Sequence, residues 1–274
     1  MTQQYHFIAG LPRSGSTLLA SILSQNPAIS AGITGPAAAI FTAMQRAISQ
    51  GNEAANFLNN DQRSALLRAA LTSCHNGPQH IVFDTNRSWP TKINILATLF
   101  PECRIVCCVR DIAWVVDSIE RLVRKNVYDL SGIFNFQPNM TVFDRARALT
   151  EGGLVGSANV AMMEAAYGEH ADRLLLVEYD ALTTHPLDTL VAIYQFLNLP
   201  YYERHDYQAI KQVPGAAEFD RRMGTPGLHD LGPTVKRIER QTILPPEIFN
   251  SFGTPFWRAG TAKVNVIQNL VKEE

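Results

Sequence analysis

Tyr5-His-Phe-Ile-Ala-Gly-Leu-Pro-Arg-Ser-Gly-Ser-Thr17 is an apolar strand, then a glycine-rich turn, then the start of a helix that continues Leu18-Leu19-Ala20. The spacing from Gly10 through Gly15 to Thr17 is that of a phosphate-binding loop, Gly-x4-Gly-Lys-Ser/Thr, with Ser16 where the lysine belongs. Glycines let the backbone curl so that N–H groups point inward, and the helix N-terminus adds its positive dipole end. The stretch therefore predicts a site for phosphate-like oxyanions, with Arg13 as the loop's only cation. The missing lysine separates it from an ordinary ATPase, in which that residue reaches the β- and γ-phosphates.

Outward from this loop, four short, near-continuously apolar runs predict strands at 5–9, 80–84, 104–109 and 173–178. Each is followed by a helical pattern, as in a buried parallel sheet. Helices are predicted at 16–25, 36–50, 61–75, 90–99, 111–125, 141–168 and 186–197. Asp61 and Asp111 suit N-caps, and Pro186 suits a first turn. Alternating β and α units imply a three-layer α/β fold around a central parallel sheet. Beyond residue 200, prolines and glycines break every long element. We therefore expect a single domain over 1–274, with a core at 1–200 and a loop-rich segment at 201–274 packed on the sheet edge. The Lys272-Glu273-Glu274 tail is expected to fray.

The 274 residues suffice for a full core, and 46% hydrophobic with 18% charged residues is ordinary for a globular enzyme. A net charge of −1 gives no global field favouring nucleic acid or an anionic membrane. Cys74, Cys103, Cys107 and Cys108 form no Cys-x-x-Cys pair, and the last two lie in an apolar run that suits buried reduced thiols. With no basic-then-apolar leader and no long apolar span, the expected compartment is the cytoplasm.

A second constellation follows the third strand. Arg110-Asp111 ends it, and Ser118 lies about two helical turns beyond Asp111, on the same helix face. Ligands of α/β sheets gather at the carboxyl ends of strands, so Arg110 should share a rim with the Gly10 loop. An arginine fork and a hydroxyl there could hold a second phosphate.

Together these features resemble the sulfotransferases that use 3′-phosphoadenosine 5′-phosphosulfate (PAPS). Gly10 to Thr17 resembles their 5′-phosphosulfate loop, and Arg110 with Ser118 resembles their 3′-phosphate motif. Val177-Glu-Tyr-Asp-Ala-Leu182, His185-Pro186 and Phe196-Leu-Asn-Leu-Pro200 resemble a third family stretch. The Pro-Arg-Ser-Gly-Ser-Thr form is nearer to bacterial and tyrosylprotein sulfotransferases than to the cytosolic phenol and steroid enzymes. The resemblance implies sulfuryl transfer to a hydroxyl or amine without a metal, leaving 3′-phosphoadenosine 5′-phosphate (PAP). It also implies that Arg13 stabilises the leaving phosphate while Ser14, Gly15, Ser16 and Thr17 cradle the 5′ group. Arg110 and Ser118 would hold the 3′-phosphate, Tyr179 would contact the adenine, and Arg240, in the basic group with Lys236 and Arg237, would fold over the 3′-phosphate.

The base for the acceptor proton departs from the family pattern. Tyrosylprotein sulfotransferases carry a Gly-Glu-Glu segment after the first helix; here it reads Gly32-Ile-Thr-Gly-Pro36, without a carboxylate. The loop after the second strand reads Asp84-Thr-Asn-Arg-Ser-Trp-Pro90. Asp84 is the leading base, with Arg87 as a second oxyanion clamp and Trp89 as a cleft wall; His75, His80 and His229 are alternatives. Arg121, Arg124 and Lys125 read as an exposed helix face. Residues 126–165, with Phe134, Phe136 and Met140, should shape the acceptor side, and Tyr201, Tyr202 and Tyr207 could line it. The acceptor stays open among a small hydroxylated molecule, a lipid and a peptide. Two rival readings remain, a magnesium-dependent nucleotide kinase and a non-catalytic nucleotide-binding protein on the same scaffold.

Overall fold

A computed structural model describes residues 3–260 and 264–268; the Lys272-Glu273-Glu274 tail lies outside them. Its sheet contains β1 (Gln4–Gly10), β2 (Ile29–Ala31), β3 (Ile81–Thr85), β4 (Ile105–Val109), β5 (Leu174–Glu178) and β6 (Asn265–Ile267). All pairings are parallel, in the order β2-β3-β1-β4-β5-β6. The three-layer parallel architecture expected from the sequence is present, with two edge strands the sequence pattern did not show. Three-residue strands are too short for a periodicity. One of them, β6, comes from the late segment, so that segment extends the sheet as well as packing on it.

Side chains alternate across the strands and build two cores. Phe7, Ile105, Cys107, Leu174 and Leu176 face one side, whereas Ile8, Val106, Cys108, Leu175 and Val177 face the other. This two-sided burial is why the strands are apolar throughout. Eleven helices cover the sheet among the described residues. They are α1 (Ser16–Leu23), α2 (Ala37–Ala47), α3 (Asn60–Thr72), α4 (Ile93–Leu99), α5 (Ile112–Lys125), α6 (Val142–Thr150), α7 (Leu154–Tyr167), α8 (Tyr179–Thr184), α9 (Pro186–Phe196), α10 (Ala216–Arg222) and α11 (Pro246–Phe249). Leu19 and Ile22 of α1 and Leu190 and Ile193 of α9 pack on the Ile8 face. Phe41 of α2, Leu71 of α3, Leu96 of α4, Ile119 of α5 and Met162 of α7 pack on the Phe7 face.

Asp111 caps α5 through the Ala113 N–H at 2.9 Å, and Pro186 occupies the first turn of α9, as expected. The cap of α3 is Asn59, in a reciprocal box with Gln62, so Asp61 sits inside the helix. The single helix expected over 141–168 is two, α6 and α7. Gly152 is in a left-handed conformation (φ 76°), and a Cβ on Gly153 would meet the Ala148 carbonyl, so the chain turns there. The four cysteines are free thiols, and burial pushes the Cys108 thiol up to about 12.

Candidate active site

At its C-terminal end β1 runs against β4, and Gly10 pairs with Cys108. The Cys108 carbonyl accepts from the Leu11 N–H at 3.0 Å and from Ser14 Oγ at 2.7 Å, pinning both sides of the turn. Ser14 is buried and does not line the cleft, so its hydroxyl staples the loop rather than cradling a ligand. Gly15, in a left-handed conformation, begins α1 without a side-chain cap. The first-turn amides beside Ser16 and Thr17 are therefore free of capping side chains and suited to an anion.

A cleft of about 800 Å³ opens over this loop. Arg13, Gly15, Ser16, Thr17, Arg87, Arg110, Ser118, Tyr179 and Arg240, all named from the sequence, line it together. Arg13 Nε donates to Ser118 Oγ at 3.1 Å, joining the two phosphate motifs directly. Its Nη1 donates to the Leu228 carbonyl. The Arg110 guanidinium lies 4.2 Å from the Tyr179 ring centroid, a cation–π contact that fixes both side chains. Burial lowers the pKa of Arg13, and Arg110 and Arg240 lower it further by repulsion. Among the described residues neither Arg13 nor Arg110 has a carboxylate within salt-bridge distance. A half-buried, mutually repelling pair of this kind gains stability from an anionic ligand.

Arg240 is held differently. Asp117, fully buried on α5, meets Arg240 at 3.0 Å and Arg121 at 2.9 Å, and accepts from Thr242 Oγ1 and the Ile243 N–H. Burial pushes its carboxyl up, but the Ile243 N–H, Arg121, Thr242 and Arg240 outweigh that and hold it below the ordinary carboxylate value. Arg121 is therefore part of this anchor, not of an exposed face. A lowered pKa means that the anchor contributes stability above the ordinary carboxylate range and loses it only as pH falls through the lowered value. Asp117→Ala should cost on the order of 3 kcal/mol, the scale for unpairing a buried charge. It should also speed hydrogen exchange at 240–244, both measurable at neutral pH.

Asp84 does not reach the cleft. It is buried; Oδ1 accepts from Trp89 Nε1 at 2.8 Å, and Oδ2 pairs with His75 Nε2 at 3.0 Å. Trp89 is fully buried against Phe7 and Phe41 and is core, not a cleft wall. His80 sits in a separate hollow with His75, before β3 begins. Asp84→Asn should keep turnover within about threefold of wild type, against the 10²- to 10⁴-fold typical of a lost general base. Initial rates compared with thermal stability would show the difference. At the family's glutamate position Thr34 lines the cleft, accepting from Asn86 Nδ2 at 3.0 Å. His229 does line it, paired with the buried Asp220.

The cleft lining is chemically mixed. Arg13, Arg87, Arg110, Lys236 and Arg240 bring positive charge to it, and Ile33, Ile133, Phe134, Met140, Leu154 and Met223 are among its apolar side chains. Phe134 and Met140, two of the residues expected to shape the acceptor side, line the cleft, whereas Phe136 is half-exposed and not in the lining. Tyr201, Tyr202 and Tyr207 gather around His205 against the Ile8 face of the sheet and are not in the cleft lining.

A sequence model of the sulfotransferase family matches residues 6–203, most of the chain and both phosphate motifs. The chain belongs to the sulfotransferase family. It is 26% identical over 222 residues to protein-tyrosine sulfotransferase 1 of Danio rerio, covering 77% of this chain and 58% of that protein. The chain thus spans little more than half the length of that relative. Among solved structures, the sulfotransferase domain of the Synechococcus olefin synthase aligns at a TM-score of 0.46 with 20% identity, covering 74% of this chain and 76% of its own. A sulfotransferase from Alicyclobacillus acidocaldarius aligns at 0.48 with 14% identity, covering 80% and 90%. Neither likeness is close enough to bear on the site.

Proposed function

We propose that the protein transfers a sulfuryl group from PAPS to a hydroxyl of an acceptor whose body is apolar. The observation that carries this reading is the union of Arg13 with Ser118 in a cleft whose lining combines several cations with a set of apolar side chains. The cations suit a ligand with two separated anionic groups. The uncapped first turn of α1 and Arg13 would take the 5′ side; Arg110, Ser118 and the anchored Arg240 would take the 3′-phosphate. Tyr179, under Arg110 and beside Gly15, is placed to meet a base. PAPS, when bound, supplies an activated sulfuryl group on a phosphate leaving group.

Each residue then has a physical task. Arg13 offers fixed positive charge where negative charge grows on the departing oxygen, in a half-buried setting where such charge is more effective than in open solvent. Thr34, Thr85, Asn86 and Arg87 supply further polar groups to the lining. The apolar side chains of the lining support an acceptor held by burial, such as a phenol or another aromatic alcohol, over one presented within a charged peptide. Free, mostly buried thiols and a net charge of −1 support a reducing compartment and a non-nucleic-acid partner. Late residues such as His229, Lys236 and Arg240 complete the cleft, which supports one functional domain over 1–274.

Radiolabelled sulfuryl transfer from PAPS to a panel of phenols, aliphatic alcohols and tyrosine peptides tests the proposal. Product with the apolar phenols and none with the peptides is expected. Transfer to acidic tyrosine peptides alone would overturn the acceptor assignment.

A further inference from the structure

We propose that His229, oriented by Asp220, is the general base that takes the acceptor proton; this rests on the sulfotransferase reading. The pairing is built by a turn that returns the chain onto α10. Gly224 (φ 60°) and Gly227 (φ 85°) adopt left-handed conformations. A Cβ at Gly224 would meet the Leu130 carbonyl, and the Thr225 N–H closes onto the Asp220 carbonyl at 2.9 Å. His229 thereby lands on the residue that began the turn. Asp220 Oδ2 accepts the His229 backbone N–H at 2.8 Å, and Oδ1 meets the ring Nδ1 at 2.5 Å. The Phe219 ring packs edge-on against the imidazole at 5.5 Å, so backbone, carboxylate and aromatic edge fix one ring orientation.

Asp220 is 1% exposed, whereas His229 lines the cleft. A buried carboxylate on Nδ1 holds the proton there and leaves the Nε2 lone pair to accept another. No described residue is hydrogen-bonded to Nε2. The position along the cleft also fits, because the carbonyl of the preceding residue, Leu228, accepts from Arg13. The imidazole is therefore held one residue from the group that Arg13 grips, with Phe219 packed against it, and Arg13, Phe219 and His229 line the same cleft. Among the described residues Asp230 is the only acidic side chain in the lining; it is exposed and has no such orienting partner there.

The proton and electron pairs balance without a further reactant. The acceptor O–H bond breaks, its proton passing to Nε2, as the acceptor oxygen forms its bond to sulfur. The pair of the breaking sulfur–oxygen bond remains on the phosphate oxygen beside Arg13. The imidazolium, stabilised by Asp220, returns its proton to solvent after release.

Two phenols separate a base from a residue that merely shapes the cleft. In mildly alkaline buffer 2-naphthol is still protonated and needs a base, whereas 4-nitrophenol is largely ionised and does not. His229→Gln should lower kcat with 2-naphthol by roughly 10²- to 10⁴-fold and with 4-nitrophenol by less than about tenfold. PAP affinity, measured by calorimetry, should stay at the wild-type value. Equal losses with both phenols, or a loss confined to Asp230→Asn, would overturn the assignment. Failure of the wild-type protein to bind PAP would instead overturn the sulfotransferase reading. A readout independent of turnover is nitrogen NMR of the histidine-labelled protein. His229 should show protonated Nδ1 and bare Nε2, with the Nε2 resonance moving when 2-naphthol is added to the PAP complex. A proton on Nε2 with Nδ1 bare, or no movement, contradicts the proposal even if no phenol is turned over.

Discussion

Gly10→Ala should abolish measurable PAP binding and lower the melting temperature by roughly 5–20 °C, the range expected for a loss on the order of 2–6 kcal/mol. Gly10 has φ 125°, where L side chains carry strain on the order of 1–3 kcal/mol. An added Cβ would also stand 2.0 Å from the Cys108 carbonyl oxygen. That oxygen belongs to backbone already committed to the Leu11 N–H and Ser14 Oγ. It cannot retreat without releasing the loop it pins. Part of the strain would be relieved by lifting β1 from β4 at their C-terminal ends, tilting the α1 amides away from the cleft. Thermal melts and calorimetry on one preparation would report both effects. Retained PAP affinity in Gly10→Ala would show that the loop backbone is not part of the anion site.

Arg110→Ala should weaken PAP binding by roughly 10- to 150-fold, corresponding to about 1.5–3 kcal/mol for a charged hydrogen bond. The same change should leave the ligand-free melting temperature unchanged or raised. This opposite pair of signs follows from the electrostatics of the empty cluster. Burial lowers the Arg110 pKa, and Arg240 adds to that by repulsion. Arg110 in turn repels the half-buried Arg13. Removing one cation relieves its neighbours in the free protein and costs only in the complex. A residue holding the fold through its contact with Tyr179 would show the reverse, a lower melting temperature with affinity intact. Differential scanning with and without PAP distinguishes the two.

The parts legible in the sequence were those governed by local rules. Continuous apolar strands and glycine spacing identified the parallel sheet and the loop, because both follow from short-range backbone constraints. Arg13, Arg110 and Ser118 were legible by motif, and the Arg13–Ser118 hydrogen bond then joined residues 105 positions apart. Asp84 was misjudged because a carboxylate ending a strand reads the same whether it faces a cleft or an indole. Only the packing of Trp89 beneath it shows which. The His229–Asp220 pair had no comparable signal, since its nine-residue separation spans a glycine turn with no helical or strand period. The break at Gly152-Gly153 was visible in the letters, but the apolar pattern on either side outweighed it.

The most direct test of the central claim is a calorimetric titration of the wild-type protein with PAP, run without and with magnesium and against ATP. Micromolar binding of PAP that magnesium does not change, with ATP much weaker, is the predicted result. Binding of ATP alone, and only with magnesium, would contradict it and make the cleft that of a phosphoryl transferase.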